Sequence, residues 1–272
     1  MKIIDAQIHI WEQEVDVVPP HRRKPFGLDE ALREMDAAGV HGAVLHPPSW
    51  DLGSLALALD AAKRYPDRFA ILGRIDPLAP DRVDQLARWL DQPGVLGLRY
   101  TFLKPHEQTW MDDGTMDWLW PEAEKLNVPI ALLSDGYLAH VDRIAERHPG
   151  LRLIVDHFGV RRGNVDDAAF ASLPDVLALA RHPNVAVKIT GGPQYVSDNY
   201  PFIGLLPHYR AIHEAFGSAR MFWGTDITRM PCTWRECVTA FTEHQPWCPP
   251  ADMALIMGDG IKQWLRWRTA AT

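Results

Sequence analysis

The feature that most restricts this chain is a repeat. Short apolar runs rich in β-branched residues return about every 31 residues, too short for helices, each followed by a helix-like stretch. The runs are Ile3–Ile10, Gly42–Pro47, Phe69–Arg74, Val95–Thr101, Val128–Ser134, Leu151–His157, Val185–Thr190 and Arg220–Thr225. Amphipathic spacing predicts helices at Leu28–Ala38, Ser54–Tyr65, Asp81–Leu90, Thr115–Leu126, Leu138–His148, Leu173–Arg181, Ile203–Phe216 and Thr233–His244, with Ala251–Trp267 closing the chain. Gly39 is placed to end the first helix, and Ser54 to cap the second. Strand then helix, eight times over, is the pattern of a parallel α/β barrel. An open doubly wound sheet would carry a glycine-rich turn after its first strand, and Gln7-Ile8-His9-Ile10-Trp11 holds no glycine. The expected fold is one (β/α)8 TIM-barrel domain over residues 1–272.

Charge narrows the partners. With 28 Lys and Arg against 35 Asp and Glu, the net charge of −7 gives no basic field for a nucleic acid. The longest basic run, His21-Arg22-Arg23-Lys24, reads as part of a solvated loop, the Pro-rich stretch Val15–Pro25 above the first strand. The three cysteines, Cys232, Cys237 and Cys248, show no metal-type CxxC spacing and suit a reducing compartment. Neither a signal pattern nor a run of 18 apolar residues is present, so a cytoplasmic protein without membrane contact is expected.

Barrel enzymes place their chemistry at the C-terminal ends of the strands, so the polar residues there are the candidates. The first run offers Asp5, Gln7 and His9, which alternation puts on one face, with Ile4, Ile8 and Ile10 on the other. Polar side chains facing a barrel interior are costly unless paired or functional. His46, followed by Pro47-Pro48, either faces a pocket or begins a rigid loop. Asp76 before Pro77 reads as a turn former. Arg99, inside an apolar run, needs an internal carboxylate or a substrate carboxylate, and the substrate is preferred. The fifth run ends in Ser134-Asp135 with no histidine. His157 suits a ligand, an oxyanion stabiliser or a proton shuttle. Lys188 is either catalytic or paired with a buried acid, and pairing is preferred. Asp226, just past Met221-Phe222-Trp223, is the best general-base candidate.

Several of these runs resemble motifs of the amidohydrolase superfamily. Ile4-Asp5-Ala6-Gln7-Ile8-His9 resembles its first-strand His-x-His, and Asp156-His157-Phe158-Gly159 its sixth-strand Asp-His-x-Gly. Val187-Lys188-Ile189-Thr190-Gly191 resembles Val-Lys-Leu-Ser-Gly of the seventh strand, Trp223-Gly224-Thr225-Asp226 the Trp-Gly-Ser-Asp of the eighth, and Met257-Gly258-Asp259-Gly260 the closing turn. The resemblance spans the chain in order and is nearest to the "amidohydrolase 2" branch, which holds lactonases and decarboxylases. Two departures matter: Gln7 replaces the first histidine, and the fifth strand offers Ser134 and Asp135 instead of a histidine. The resemblance implies a metal set of His9, His157 and Asp226, for zinc or manganese. The poor zinc affinity of an amide oxygen shifts preference to metal-free hydrolysis of a cyclic ester.

The resulting expectation is a carboxylate-bearing lactone as substrate. Asp226 activates water, while His157 and His9 stabilise the oxyanion or shuttle its proton. Arg99 clamps the substrate, with Gln7, His46, Trp11 and Tyr100 completing the binding set. Arg161, Arg162 and Arg229 are available on loops, and Trp50 for the wall. Alternatives are a metal-dependent decarboxylase or amide hydrolase, and a barrel that only binds. A homo-oligomer is expected only by analogy with other barrels.

Overall fold

The computed structural model describes residues 1–14, 21, 24–160 and 163–268. Eight parallel strands pair in chain order: β1 (Ile4–Ile8), β2 (Gly42–Leu45), β3 (Phe69–Gly73), β4 (Val95–Tyr100), β5 (Ile130–Leu132), β6 (Leu153–Val155), β7 (Val185–Thr190) and β8 (Met221–Gly224). Each lies inside its predicted run. The ends of several runs have left the ladder to become the loops that carry the chemistry.

The principal helices are α1 (Leu28–Ala38), α2 (Ser54–Arg64), α3 (Arg82–Ala87), α4 (Leu119–Leu126), α5 (Leu138–Arg147), α6 (Asp166–Ala169), α7 (Leu173–Ala178), α8 (Leu206–Phe216), α9 (Trp234–Thr242), α10 (Pro250–Ala254) and α11 (Gly260–Leu265). Gly39 ends α1 in the left-handed conformation, as its position predicts. Ser54 does not cap α2, because its hydroxyl donates back to the carbonyls of Asp51 and Pro48 while Gly53 takes the cap position. The helix predicted from Thr115 begins only at Leu119, and the short α6 had no periodic signal. The expected closing helix is broken by a π turn at Leu255–Asp259. There Gly258 lets the chain pass where a Cβ would stand 2.4 Å from the Lys2 carbonyl.

The barrel interior is small and apolar: Ile4, Ala6, Val44, Ala70, Leu72, Ala131, Ile154, Ala186 and Phe222. Ile261, Leu265 and Trp267 seal it at the end away from the mouth. Ile8, by contrast, packs in the helix-facing core. A register irregularity between Asp5 and Ile8 therefore reverses the alternation of β1. It separates the predicted trio: Gln7 and His9 point inward, and Asp5 points out toward α9.

The strand ladders run from β1 to β8 without a β8–β1 ladder among the described residues. Side chains close that seam. Asp5 accepts from the backbone N–H and hydroxyl of Thr225 (2.9 and 2.6 Å) and from the indole of Trp234 (2.9 Å). A Cβ on Gly224 would stand 2.7 Å from both Ala6 N and Asp5 Oδ1, so glycine lets β8 reach β1. Among the described residues no helix is long and apolar enough to cross a membrane.

Candidate active site

At the C-terminal end of the strands lies an open cavity. His9, His46, Arg99, His157 and Asp226 line it, as do Trp50 and Arg229, with Arg74 and His21 as additions. Its floor is a network of buried ionisable groups.

The network begins at Asp156, which is wholly buried and bridges two cations. Arg99 Nε donates to Oδ2 at 2.7 Å, and Lys188 Nζ lies 3.0 Å from Oδ1. Burial pushes this carboxyl up, but the charges of Lys188 and Arg99 more than reverse it and hold Asp156 well below the ordinary carboxylate range. Lys188 is thus paired with a buried acid, the preferred sequence reading. Burial brings its ammonium down to about 8, against the pull of Asp156. Arg99, for which substrate was preferred, has an internal carboxylate at Nε. Its terminal nitrogens are left to serve the cavity that it lines.

Lys188 fixes the next two residues. It donates to Gln7 Oε1 at 3.3 Å, which turns the Gln7 amide N–H toward His157 Nε2 at 3.0 Å. His157 must then accept at Nε2 and donate from Nδ1, to the hydroxyl (2.8 Å) and carbonyl (3.3 Å) of Thr190. Burial lowers its pKa to about 3, so the ring is neutral at neutral pH. Lys188 Nζ also lies 3.1 Å from His46 Nε2. The Ala6 carbonyl lies 3.2 Å from the same Nε2, and His46 Nδ1 is buried with no partner among the described residues.

Asp226 stands apart from this chain. Its backbone is left-handed (φ 52°), as is that of His157 (φ 51°), a conformation Asp and His tolerate better than most residues. Its Oδ1 is buried and receives no hydrogen bond among the described residues. The Nε2 of His9 is 3.3 Å from that oxygen, and Arg229 lies 3.5 Å from Oδ2. Burial pushes Asp226 up, but the charges of His9, Arg229 and His21 outweigh it and hold it well below the usual range. His9 donates from Nδ1 to the His46 carbonyl at 2.5 Å, and burial lowers its pKa. With Nδ1 committed to the His46 carbonyl, Nε2 of His9 faces Asp226 Oδ1, and a proton on Nε2, a water or a cation would join the two.

The site gained one residue that sequence reasoning read as solvated. His21 edges onto His9 (ring centroids 5.4 Å apart) and contacts Thr228 Oγ1 at 2.9 Å. Ligand atoms of His9, His21 and Asp226 all lie within 4.8 Å of one another. This donor set of two imidazoles and a carboxylate fits a divalent metal such as zinc or manganese. The expected set used His157 instead, but its Nε2 is occupied by Gln7 and lies 3.9 Å from Asp226. His21 is placed by the antiparallel pairing of Trp11 with Phe26, which pinches the base of its loop. The signal in sequence was only a histidine in the loop above the first strand.

Three expected substrate contacts are displaced. Gln7 lies beneath the cavity, tying Lys188 to His157. Trp11 is buried behind the wall against Phe26 and Trp50, since its backbone must pair to close the loop. Tyr100 is buried too, its hydroxyl donating to the Ile75 carbonyl at 3.0 Å and its ring facing the Arg74 guanidinium. Arg74 was not foreseen; Glu107 holds it at 2.7 Å. Asp76 accepts from Leu78 N at 3.0 Å in the turn expected of it. Arg161, Arg162 and most of Val15–Pro25 lie outside the described residues.

Comparison with known proteins agrees with this architecture. A family model described as amidohydrolase matches residues 4–261. An L-fucono-1,5-lactonase of Burkholderia ambifaria is 24% identical over 240 residues, 82% of this chain and 79% of that protein. An amidohydrolase from Burkholderia multivorans, solved with HEPES bound, superposes with a TM-score of 0.82 at 18% identity, covering 98% of this chain and all of that one. The same protein solved with zinc gives 0.79 at 17% identity, with the same coverage. A Pseudomonas putida protein assigned as a 2-pyrone-4,6-dicarboxylic acid hydrolase gives 0.76 at 19% identity, covering 98% of each chain. At these identities the structural likenesses establish the fold.

Proposed function

Because the chain belongs to the amidohydrolase family, and so to a family of hydrolytic enzymes, we propose that it opens a lactone ring bearing a carboxylate. One observation carries the reading: a buried, ionised Asp226 at the cavity whose Oδ1 accepts no hydrogen bond among the described residues. Water held between Asp226 and His9 adds its oxygen to the lactone carbonyl carbon and passes a proton to Asp226. The oxyanion so formed meets the terminal N–H groups of Arg99, which lines the cavity. Collapse breaks the ring C–O bond, and the proton on Asp226 returns to the departing alkoxide. His157, with both nitrogens committed, acts by positioning Gln7 and the β6 end rather than as a shuttle.

The low pKa of Asp226 favours this substrate class. A carboxylate held that low is a weak base, adequate for an electrophilic ester carbonyl and poorly matched to an amide. The charge of the cavity is compatible: Arg74, Arg99 and Arg229 line it, each beside a carboxylate (Glu107, Asp156 and Asp226), and Lys188 beneath adds a further cation. The lactonase relative and the pyrone-dicarboxylate protein support the same class. The rival reading, a metal-dependent decarboxylase or amide hydrolase, is favoured by the close approach of His9, His21 and Asp226. A divalent ion held there would supply Lewis-acid polarisation of a carbonyl.

A panel of sugar lactones and carboxylated lactones, followed by acid release before and after chelation, tests the proposal. Turnover that Asp226→Asn abolishes is expected. No turnover of any lactone, with decarboxylation of an aromatic acid instead, would sink it.

A further inference from the structure

We infer that a divalent cation at this mouth is held by His9, Asp226 and the loop histidine His21, with His157 outside the ligand set. The inference concerns binding and stands whether or not the substrate is a lactone.

Two ligand positions implied by the family resemblance are closed here. The Gln7 amide is used at both ends, its oxygen accepting from Lys188 and its N–H donating to His157. That N–H occupies the Nε2 lone pair of His157, and its Nδ1 proton is spent on Thr190. A cation seeking His157 would have to displace a buried amide and leave its N–H without an acceptor.

The positions that stay open converge elsewhere. His9 is oriented by its Nδ1–H bond to the His46 carbonyl, which leaves Nε2 directed at Asp226 Oδ1. Outer hydrogen bonds of this kind to a carbonyl are what fix ligating imidazoles in metal proteins. Asp226 Oδ1 is buried and receives no hydrogen bond among the described residues. His21 comes within 4.8 Å of both ligand atoms and is steadied by Thr228, two residues beyond Asp226. The loop has thus supplied the nitrogen that the first strand lost at Gln7.

The test is titration of metal-free, full-length protein with zinc by calorimetry and with cobalt(II) by its visible absorption. One equivalent is expected. His21→Ala should weaken binding at least about tenfold, and His21→Gln likewise, because a ligand rather than an outer partner is lost. His157→Asn should stay within about threefold of the unaltered protein, with circular dichroism confirming that each variant is folded. Should His157→Asn fail to fold, the two His21 variants decide alone. Zinc affinity unmoved by both His21 changes would overturn the inference, as would no uptake at millimolar metal. Lactone turnover of the same samples keeps the two readings apart. Metal-free protein that still hydrolyses lactone leaves the hydrolase proposal intact when the cation site fails.

Discussion

The seam between β1 and β8 and the mouth above it each bury an aspartate, and the two carboxylates are treated in opposite ways. At the seam Asp5 receives four hydrogen bonds, from Gln7 N, Thr225 N, the Thr225 hydroxyl and the Trp234 indole, and meets no cation. Burial still raises it to about 7. At the mouth Asp226 is surrounded by basic groups that hold it low, yet one of its oxygens accepts nothing. Saturated with donors, a buried carboxylate is a fastening. Ionised with an oxygen left open, it is a reagent. Asp156 is the intermediate case, saturated by cations and serving to hold Lys188 and Arg99 in place.

The largest test of this contrast is Asp226→Asn. It removes the open oxygen's charge and should cut kcat by roughly 10²–10⁴-fold, with circular dichroism showing the barrel still folded. A large stability loss with activity retained would make Asp226 another fastening. Next comes Lys188→Met, which leaves Asp156 buried with Arg99 alone. Removing one member of a buried ion pair costs about 3–5 kcal/mol, read by denaturant titration. A near-neutral result would mean that Arg99 suffices.

Asp5→Asn sharpens the seam side through pH. An ordinary unfolded Asp titrates near about 3.9. The folded protein thus keeps the Asp5 proton between roughly pH 4 and 7 while the unfolded chain has lost it, so the stability contributed by Asp5 falls as pH rises through that window. Asp156 and Asp226, held low, act with the opposite sign: their contribution is present above the unfolded pKa and is lost as pH falls. Relative to the unaltered protein, Asp5→Asn should therefore be most destabilising near pH 4 and progressively less so toward pH 8. Parallel melting curves across that range would remove the contrast. The smallest effect is expected of Tyr100→Phe. Losing its bond to Ile75 costs on the order of 1 kcal/mol, with KM unchanged, because the ring lies behind the cavity wall. A raised KM would return Tyr100 to the binding set.

Most of the barrel could be read from periodicity, because each strand is a continuous apolar run and each helix an amphipathic one. His157 and Asp226 could be placed at the mouth for the same reason, as polar residues directly after such runs. Asp5 could not, since strict alternation has no way to foresee a register irregularity. Nor could His21: a loop carries no period, and what brings it over His9 is pairing between Trp11 and Phe26, two residues distant in sequence. Arg99 was legible as a cation needing a partner, but choosing Asp156 required knowing that β4 and β6 aim at one point. Trp11 and Tyr100 misled because an aromatic beside a site serves equally well as its wall or as the packing behind that wall.

The closure of β8 against β1 has a dynamic meaning. A ladder distributes its resistance over many peptide groups, whereas this join is concentrated in Asp5, Thr225 and Trp234, with a backbone bond from Asp226 N to Gln7 O at 2.9 Å. That last bond suspends Asp226 from the first strand. Any breathing of the barrel that parts the two strands also carries Asp226 away from His9. Amide exchange along the end of β8 and thermal inactivation would then report the same opening, and catalysis would fade while the helices outside still keep their shape.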